Sequence, residues 1–339
     1  NTNLINIINE YGTINVLGWL KKDYTLIVRI FFKVMHILKI ILFSLLFNCK
    51  NIHFKGLERF PFNLIYFFNK NKTFLFESNC WGHTLNVFKA DQIFYEKKKG
   101  IEEKEIKSYK YLVSFSQDWP QIKFCSRKKK VNYLIPSTRL SENWLNVCKK
   151  HSEFILTSRP KWMNEKFKNK KIIIYVLGSL GKFSTIDKAS TGESLFYDTL
   201  DLILQNTDCI ILLKPHAITN IARVNLIINK FNTNRVFITY NHIAVISYYC
   251  DYALANYFSY ALTDAWVNGI KTIEYTKYDK EVLTITNGES LEPKYIDSFI
   301  NDNPQELIKE LKNPYKKFIR NNSTKLHQDY RKLIETISK

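Results

Sequence analysis

Lys214, Pro215 and His216 directly follow the apolar run CIILL at residues 209–213. Such a run predicts a buried strand, which puts the triplet at its carboxyl end, where doubly wound sheets bind ligands. A lysine and a histidine at that place suit a diphosphate or a phosphate monoester: the ammonium supplies a point charge and the imidazole a hydrogen bond or a proton. Proline fixes the turn that would aim them. The same residues could also form an ordinary strand-end turn.

Three further segments carry the residue types that chemistry needs. Residues 256–265 (NYFSYALTDA) follow a second apolar run, YALA, at 252–255. Ser259 is in N-cap position there, and the open amides of a helix start bind anions; capping alone would also account for it. Asp264, one turn on, either orients a neighbour or lies on the helix surface. Gly178, Ser179 and Gly181 fall in the first turn after the run KIIIYVL at 171–177. Glycine there admits a ligand close to the backbone, although the spacing is not that of the dinucleotide fingerprint and a plain loop fits as well. Glu77 and His83, in ESNCWGHT at 77–84, are candidates for taking a proton from an acceptor hydroxyl, with Trp81 able to stack on a sugar ring. The competing reading is a packed loop whose histidine serves the following helix start.

The elements that would position these residues form a regular series. Strands are expected at 73–78, 111–115 and 131–135, with helices at 85–99 and 141–151, the latter capped by Ser141. Residues 156–169 are polar and basic, contain Pro160, and read as a crossing between domains. Beyond them strands at 171–177, 209–213, 236–239, 252–255 and 271–275 alternate with helices at 193–205, 221–231, 242–249 and 259–268. That alternation specifies βα units and a parallel, doubly wound sheet. Helices at 304–311 and 315–338 close the chain.

Length and charge agree with two α/β domains. At 339 residues with 45% apolar content the chain can bury two cores. The net charge is +19, and residues 1–150 hold 25 Lys/Arg against 11 Asp/Glu, the remainder 25 against 20. A basic first half concentrates anionic partners such as a membrane surface, a phosphorylated acceptor or a nucleic acid; solubility and a lysine-rich composition are the plainer account. Six cysteines show no CxxC pair, and Cys148, Cys209 and Cys250 lie in apolar runs that suit buried free thiols in a reducing cytoplasm. Residues 1–18 do not read as a signal peptide. Residues 24–47 are the most apolar stretch, yet Lys22, Arg29, Lys33 and His36 fall in one stripe at 100° per residue. The stripe favours a helix lying in a membrane interface with Ile27, Ile30, Phe31, Val34 and Leu38 immersed; a core helix with one wet edge and a spanning helix remain as alternatives.

The order of a KPH strand end, a strand–loop–Ser259–helix unit with Asp264-Ala265, and then NGIKTIEY at 268–275 resembles the nucleotide-binding domain of GT-B bacterial polysaccharide glycosyltransferases. The likeness covers about residues 171–300 and is greatest to the His-Pro-motif group: sialyl- and polysialyltransferases, Kdo transferases and CDP-glycerol glycerophosphotransferases. Here the proline precedes His216 and Ala217 follows it. The resemblance implies an α/β chain of two Rossmann-like domains facing a cleft, with an N-terminal amphipathic helix. The expected division is a membrane-surface segment at 1–50, an acceptor domain at 51–160, a donor domain at 161–312 and a C-terminal helix at 313–339. It implies a nucleotide-activated donor (CMP- or CDP-linked) as substrate, no cofactor and no metal, and a lipid-linked or polysaccharide acceptor. His216 and Ser259 would hold the nucleotide phosphate, with Gly178, Ser179, Gly181, Lys214 and Asp264 around them, and His83 or Glu77 would be the base. The expected location is the cytoplasm, peripheral at the inner face of the membrane. No DxD motif stands at a strand end, and the leaving phosphate would be held by side chains and helix amides. The alternatives are a polyol-phosphate transferase, a basic nucleic-acid-binding protein, a non-catalytic relative that anchors a polysaccharide assembly at the membrane, and an epimerase of the same fold; against nucleic-acid binding, the basic residues are not interleaved with aromatics in a recognisable module.

Overall fold

An apolar helix must either pack on a partner or leave a face uncovered, and α1 (Leu26–Leu46) does both. Ile37 and Ile41 are buried near Leu64 of α2 (Asn63–Phe68), while Ile27, Phe31, Leu38 and Leu42 are exposed. The structure, a computed structural model, describes residues 25–46, 51–53, 63–68, 73–76, 86, 111–114, 131–135, 137–158, 160–164, 168–178, 192–216, 219–313, 320 and 328–338. No helix among them is long and apolar enough to cross a membrane. The expected helix at 85–99 lies outside the described residues, apart from Asn86, which is helical. The described residues fall into two compact units, one taking in 86 and 139–320 and the other 25–76, 111–138 and 328–338.

The smaller unit carries a parallel sheet of β1 (Asn51–His53), β2 (Thr73–Phe76), β3 (Tyr111–Ser114) and β4 (Val131–Leu134), paired in that order. The order follows the chain, so no reversal occurs among these strands. Its core joins Phe74, Val113, Tyr133 and Ile135 to Leu333 and Ile337 of the helix Gln328–Ser338. The Tyr133 hydroxyl donates to Thr336 Oγ1 at 3.0 Å. The last helix therefore belongs to this core. Helix was expected from residue 315, but Arg320 is not helical.

In the larger unit, α3 (Glu142–Ser158) starts where expected, with Ser141 Oγ accepting from the Trp144 amide at 3.3 Å. It runs seven residues past the expected end, because Cys148 and Ile155, about two turns apart, share one buried face. The segment 156–169 is thus not all a crossing. Its first three residues are helical, and a 3-10 turn at Lys161–Met163 buries Trp162.

Next come β5 (Ile172–Val176), α4 (Gly192–Asn206), β6 (Ile210–Lys214), α5 (Ile221–Ile228), β7 (Val236–Ile238), α6 (Ile243–Ile246), β8 (Tyr252–Ala255), α7 (Tyr260–Val267), β9 (Lys271–Thr276), α8 (Lys280–Thr286), β10 (Ser298–Asn301) and α9 (Pro304–Lys312). All six strands are parallel, in the order β10-β9-β8-β5-β6-β7. The chain steps outward from β5 to β7, returns to the other side of β5, and steps outward again to β10. Side chains alternate along each strand, so the sheet feeds two cores. Ile173, Tyr175, Ile211 and Leu213 pack with α4, α5 and α9, whereas Ile174, Val176, Ile210 and Leu212 pack with α3, α6 and α7. Both faces are covered, which is why these strands are continuous apolar runs. Cys148, Cys209 and Cys250 are buried free thiols, as their settings predict.

Among the strands and α-helices, β1 and α2 of the smaller unit escape the sequence reading, and so do two elements of the larger. β10 is an edge strand in which Ile300 alone is buried. The short α8 is held by Asp279, whose side chain accepts from the Val282 amide at 3.0 Å. At the amino end of the central strand β5, Lys171 Nζ donates to the carbonyls of Leu311 and Asn313, each at 2.8 Å. An ammonium so placed satisfies the carbonyls left open at the end of α9.

Candidate functional site

A sheet whose strand order reverses leaves a crevice beyond its carboxyl edge, since the connections on either side of the reversal run apart. Here the reversal lies between β5 and β8. A pocket at that place is lined by Val176, Leu177, Gly178, His216 and residues 255–259. Three segments far apart in the chain thereby bring Gly178, His216 and Ser259 together. A side-chain carbon added at Gly178 would meet the Tyr257 ring at 4.0 Å, an ordinary contact, so packing does not demand glycine; its absent side chain leaves the pocket floor open.

Thr219, which sequence reasoning missed, joins two of these loops. Its Oγ1 donates to the Gly178 carbonyl and accepts from the His216 amide, each at 2.8 Å. Its own amide donates to the His216 carbonyl at 2.9 Å. The backbone beneath His216 is therefore fixed while the imidazole stays exposed. Ser259 is the N-cap of α7, its hydroxyl accepting from the Ala261 amide at 3.4 Å, so it both caps the helix and lines the pocket.

The loop between β8 and α7 is anchored from below. Asn256 is buried, accepts from the Tyr175 hydroxyl, and donates to Thr199 Oγ1 and the Tyr275 carbonyl, each at 3.0 Å. Burial holds the Tyr175 phenol well above the usual range. Glu274 is wholly buried and accepts from the hydroxyls of Tyr278 and Ser290. Burial raises its carboxyl to about 7, against the opposing pull of the Ser290 and Tyr278 bonds. The Tyr278 oxygen in turn accepts from the Phe258 amide at 3.2 Å. Glu274 reads in the sequence only as one residue of a strand; nothing there announces its role.

Lys214 and Asp264 do not line the pocket. Asp264 is buried and ion-paired with Arg139, so it orients a neighbour and is not a helix-surface residue. Lys214 is half-buried at the end of β6, and desolvation lowers its proton affinity. His242 caps α6, its Nδ1 accepting from the Ala244 amide at 3.2 Å. Burial first, then the charges of Arg139 and Lys214, push its imidazole down to about 4. The position of His242 just ahead of an apolar helix start was the available signal for it. Ser179, Gly181, Glu77, Trp81 and His83 lie outside the described residues. Among the described residues no cluster of His, Cys, Asp or Glu side chains forms a metal site.

No protein-family model matches the chain, and no curated protein matches it. Among solved structures it is similar to two variants of the wall teichoic acid polymerase TagF. In one the identity is 18% and the TM-score 0.37, covering 68% of this chain and 52% of that one. In the other they are 15% and 0.40, covering 78% and 62%. The chain thus spans less than two-thirds of the length of either.

Proposed function

We propose that the chain is a metal-independent glycosyltransferase of the GT-B kind, with two Rossmann-like domains facing a cleft and the nucleotide of a CMP- or CDP-linked donor held by the second. The observation that supports this most is the pocket at the strand reversal, where Gly178, His216 and the capped start of α7 meet in the place that doubly wound sheets reserve for nucleotides. His216 donates to a phosphate oxygen, and the amides behind Ser259 face its charge. Gly178, with Ser179 and Gly181, lets the ligand approach the backbone. His83, or else Glu77, takes the proton from the hydroxyl of a cell-surface polysaccharide or glycolipid acceptor. The freed oxygen attacks the anomeric carbon, and the nucleotide leaves with its charge held by the second domain. The same arrangement serves attack at phosphorus if the donor is an activated polyol phosphate.

The test begins with thermal stabilisation by CMP, CDP and UDP, followed by calorimetry on the strongest ligand. His216→Ala should weaken that ligand by about 1.5–3 kcal/mol, the range for a hydrogen bond to a charged group. Wild-type affinity in the variant would remove the phosphate role from His216.

The acceptor side is proposed to work at an anionic membrane, on its cytoplasmic face. The exposed Ile27, Ile30, Phe31 and Leu38 of α1 support this, as do Arg29 and Lys33 one turn apart in the sequence. Flotation with phosphatidylserine vesicles should show binding that weakens with salt and with Arg29→Glu plus Lys33→Glu. Flotation unchanged by the double substitution would end the membrane proposal.

A further inference from the structure

The carboxyl edge of the large sheet carries a second group of polar side chains beside the pocket. Ile210 and Leu212 of β6 face the core built with α3, α6 and α7, and alternation puts Lys214 on that same side. His242, the cap of α6, is there too, its ring edge-on to Trp144 of α3 at 5.8 Å. Arg139, just ahead of α3, is ion-paired to Asp264 of α7. Lys214 has no such partner among the described residues. Its ammonium donates to the Pro215 carbonyl at 3.3 Å, and no carboxylate among the described residues pairs with it. A half-buried cation without a counter-ion is costly unless an anion completes it.

The chemistry of His242 points the same way. Because Nδ1 accepts the Ala244 amide, the ring is neutral with its proton on Nε2, and that nitrogen can only donate. The imidazole, pushed down to about 4, keeps this form throughout the neutral range. A lysine and an imidazole N–H on one side of one sheet edge make a phosphate site. Pro215 alone separates Lys214 from His216, two steps or about 7 Å of extended chain, so a long side chain reaches a phosphate bonded to one held at His216.

We propose that Lys214 and His242 hold a second phosphate beside the one assigned to Gly178, His216 and Ser259, so that the chain takes a nucleoside diphosphate derivative in preference to a monophosphate one. This rests on the nucleotide reading of the pocket. It separates the two donor classes left open above and gives Lys214 a role distinct from that of His216.

Calorimetric titration of the full chain with CMP and CDP, repeated with UMP and UDP, tests it. The diphosphate should bind about 10- to 100-fold more tightly than the monophosphate. Lys214→Met, which keeps the aliphatic stem, should cut that ratio to below about threefold, as should His242→Asn, which keeps a cap acceptor. His216→Ala should weaken both members of a pair alike. Equal binding of mono- and diphosphate by the wild type overturns the proposal, and so does a ratio preserved in either folded variant. If no nucleotide binds, the proposed function fails and inorganic pyrophosphate decides the second site alone. Pyrophosphate binding weakened about tenfold by Lys214→Met upholds the site, and absence of pyrophosphate binding overturns it.

Discussion

Arg139→Leu should destabilise the larger unit by roughly 2–4 kcal/mol in urea denaturation. Asp264 is buried on α7, and its partner comes from a residue 125 positions away in the chain. Removing the guanidinium strands a carboxylate where water reaches it poorly, and that penalty is larger than the net worth of the pair. Complete burial of both partners would give the upper end of the range for such losses. Here the side chains are 29% and 5% exposed, so screening on the arginine side reduces it. Arg139→Leu combined with Asp264→Leu should recover more than half of the loss, because the stranded charge is gone. A single variant within about 0.5 kcal/mol of wild type would show that the pair does not hold α7 in place.

His83→Ala should lower turnover by about 10²- to 10⁴-fold, the usual worth of a general base. The proposed division of labour assigns the donor to the other domain, so donor affinity should stay within about twofold. A large fall in turnover at constant binding marks an interaction made mainly in the transition state. Turnover reduced less than about tenfold would move the base elsewhere, with Glu77→Gln the next variant to assay. A collapse of donor affinity would mean that His83 reaches the donor or holds its loop together, and the assignment of roles to the two domains would fall.

Much of the larger unit is legible from single segments. IIIYV and IILLK are apolar at every position but the last of the second, which happens only in strands covered on both faces. Ser141 and Ser259 each announce a helix start, and each side chain accepts a helix amide. Where local signals are weak the reading fails. β10 has one buried residue because it is an edge, so no apolar pattern marks it. α3 continues past residue 151 because Ile155 finds the same core as Cys148, and that core is made by distant strands.

The sequence by itself determined that Gly178, His216 and Ser259 each stand just beyond a buried strand, since burial of both strand faces is written in the run that precedes each one. Their meeting is decided by tertiary structure alone. Strand order, not strand identity, puts β6, β5 and β8 side by side, and no residue within a strand encodes its neighbour. The same holds for the groups around the pocket. Thr219 is an ordinary threonine until two loops approach it, and Asp264 a helix residue until Arg139 arrives. Glu274 is one carboxylate among many until complete burial, with two hydroxyls as its partners, raises it to about 7. Desolvation depends on everything packed around a group, so it belongs to the fold and is absent from any short stretch of chain.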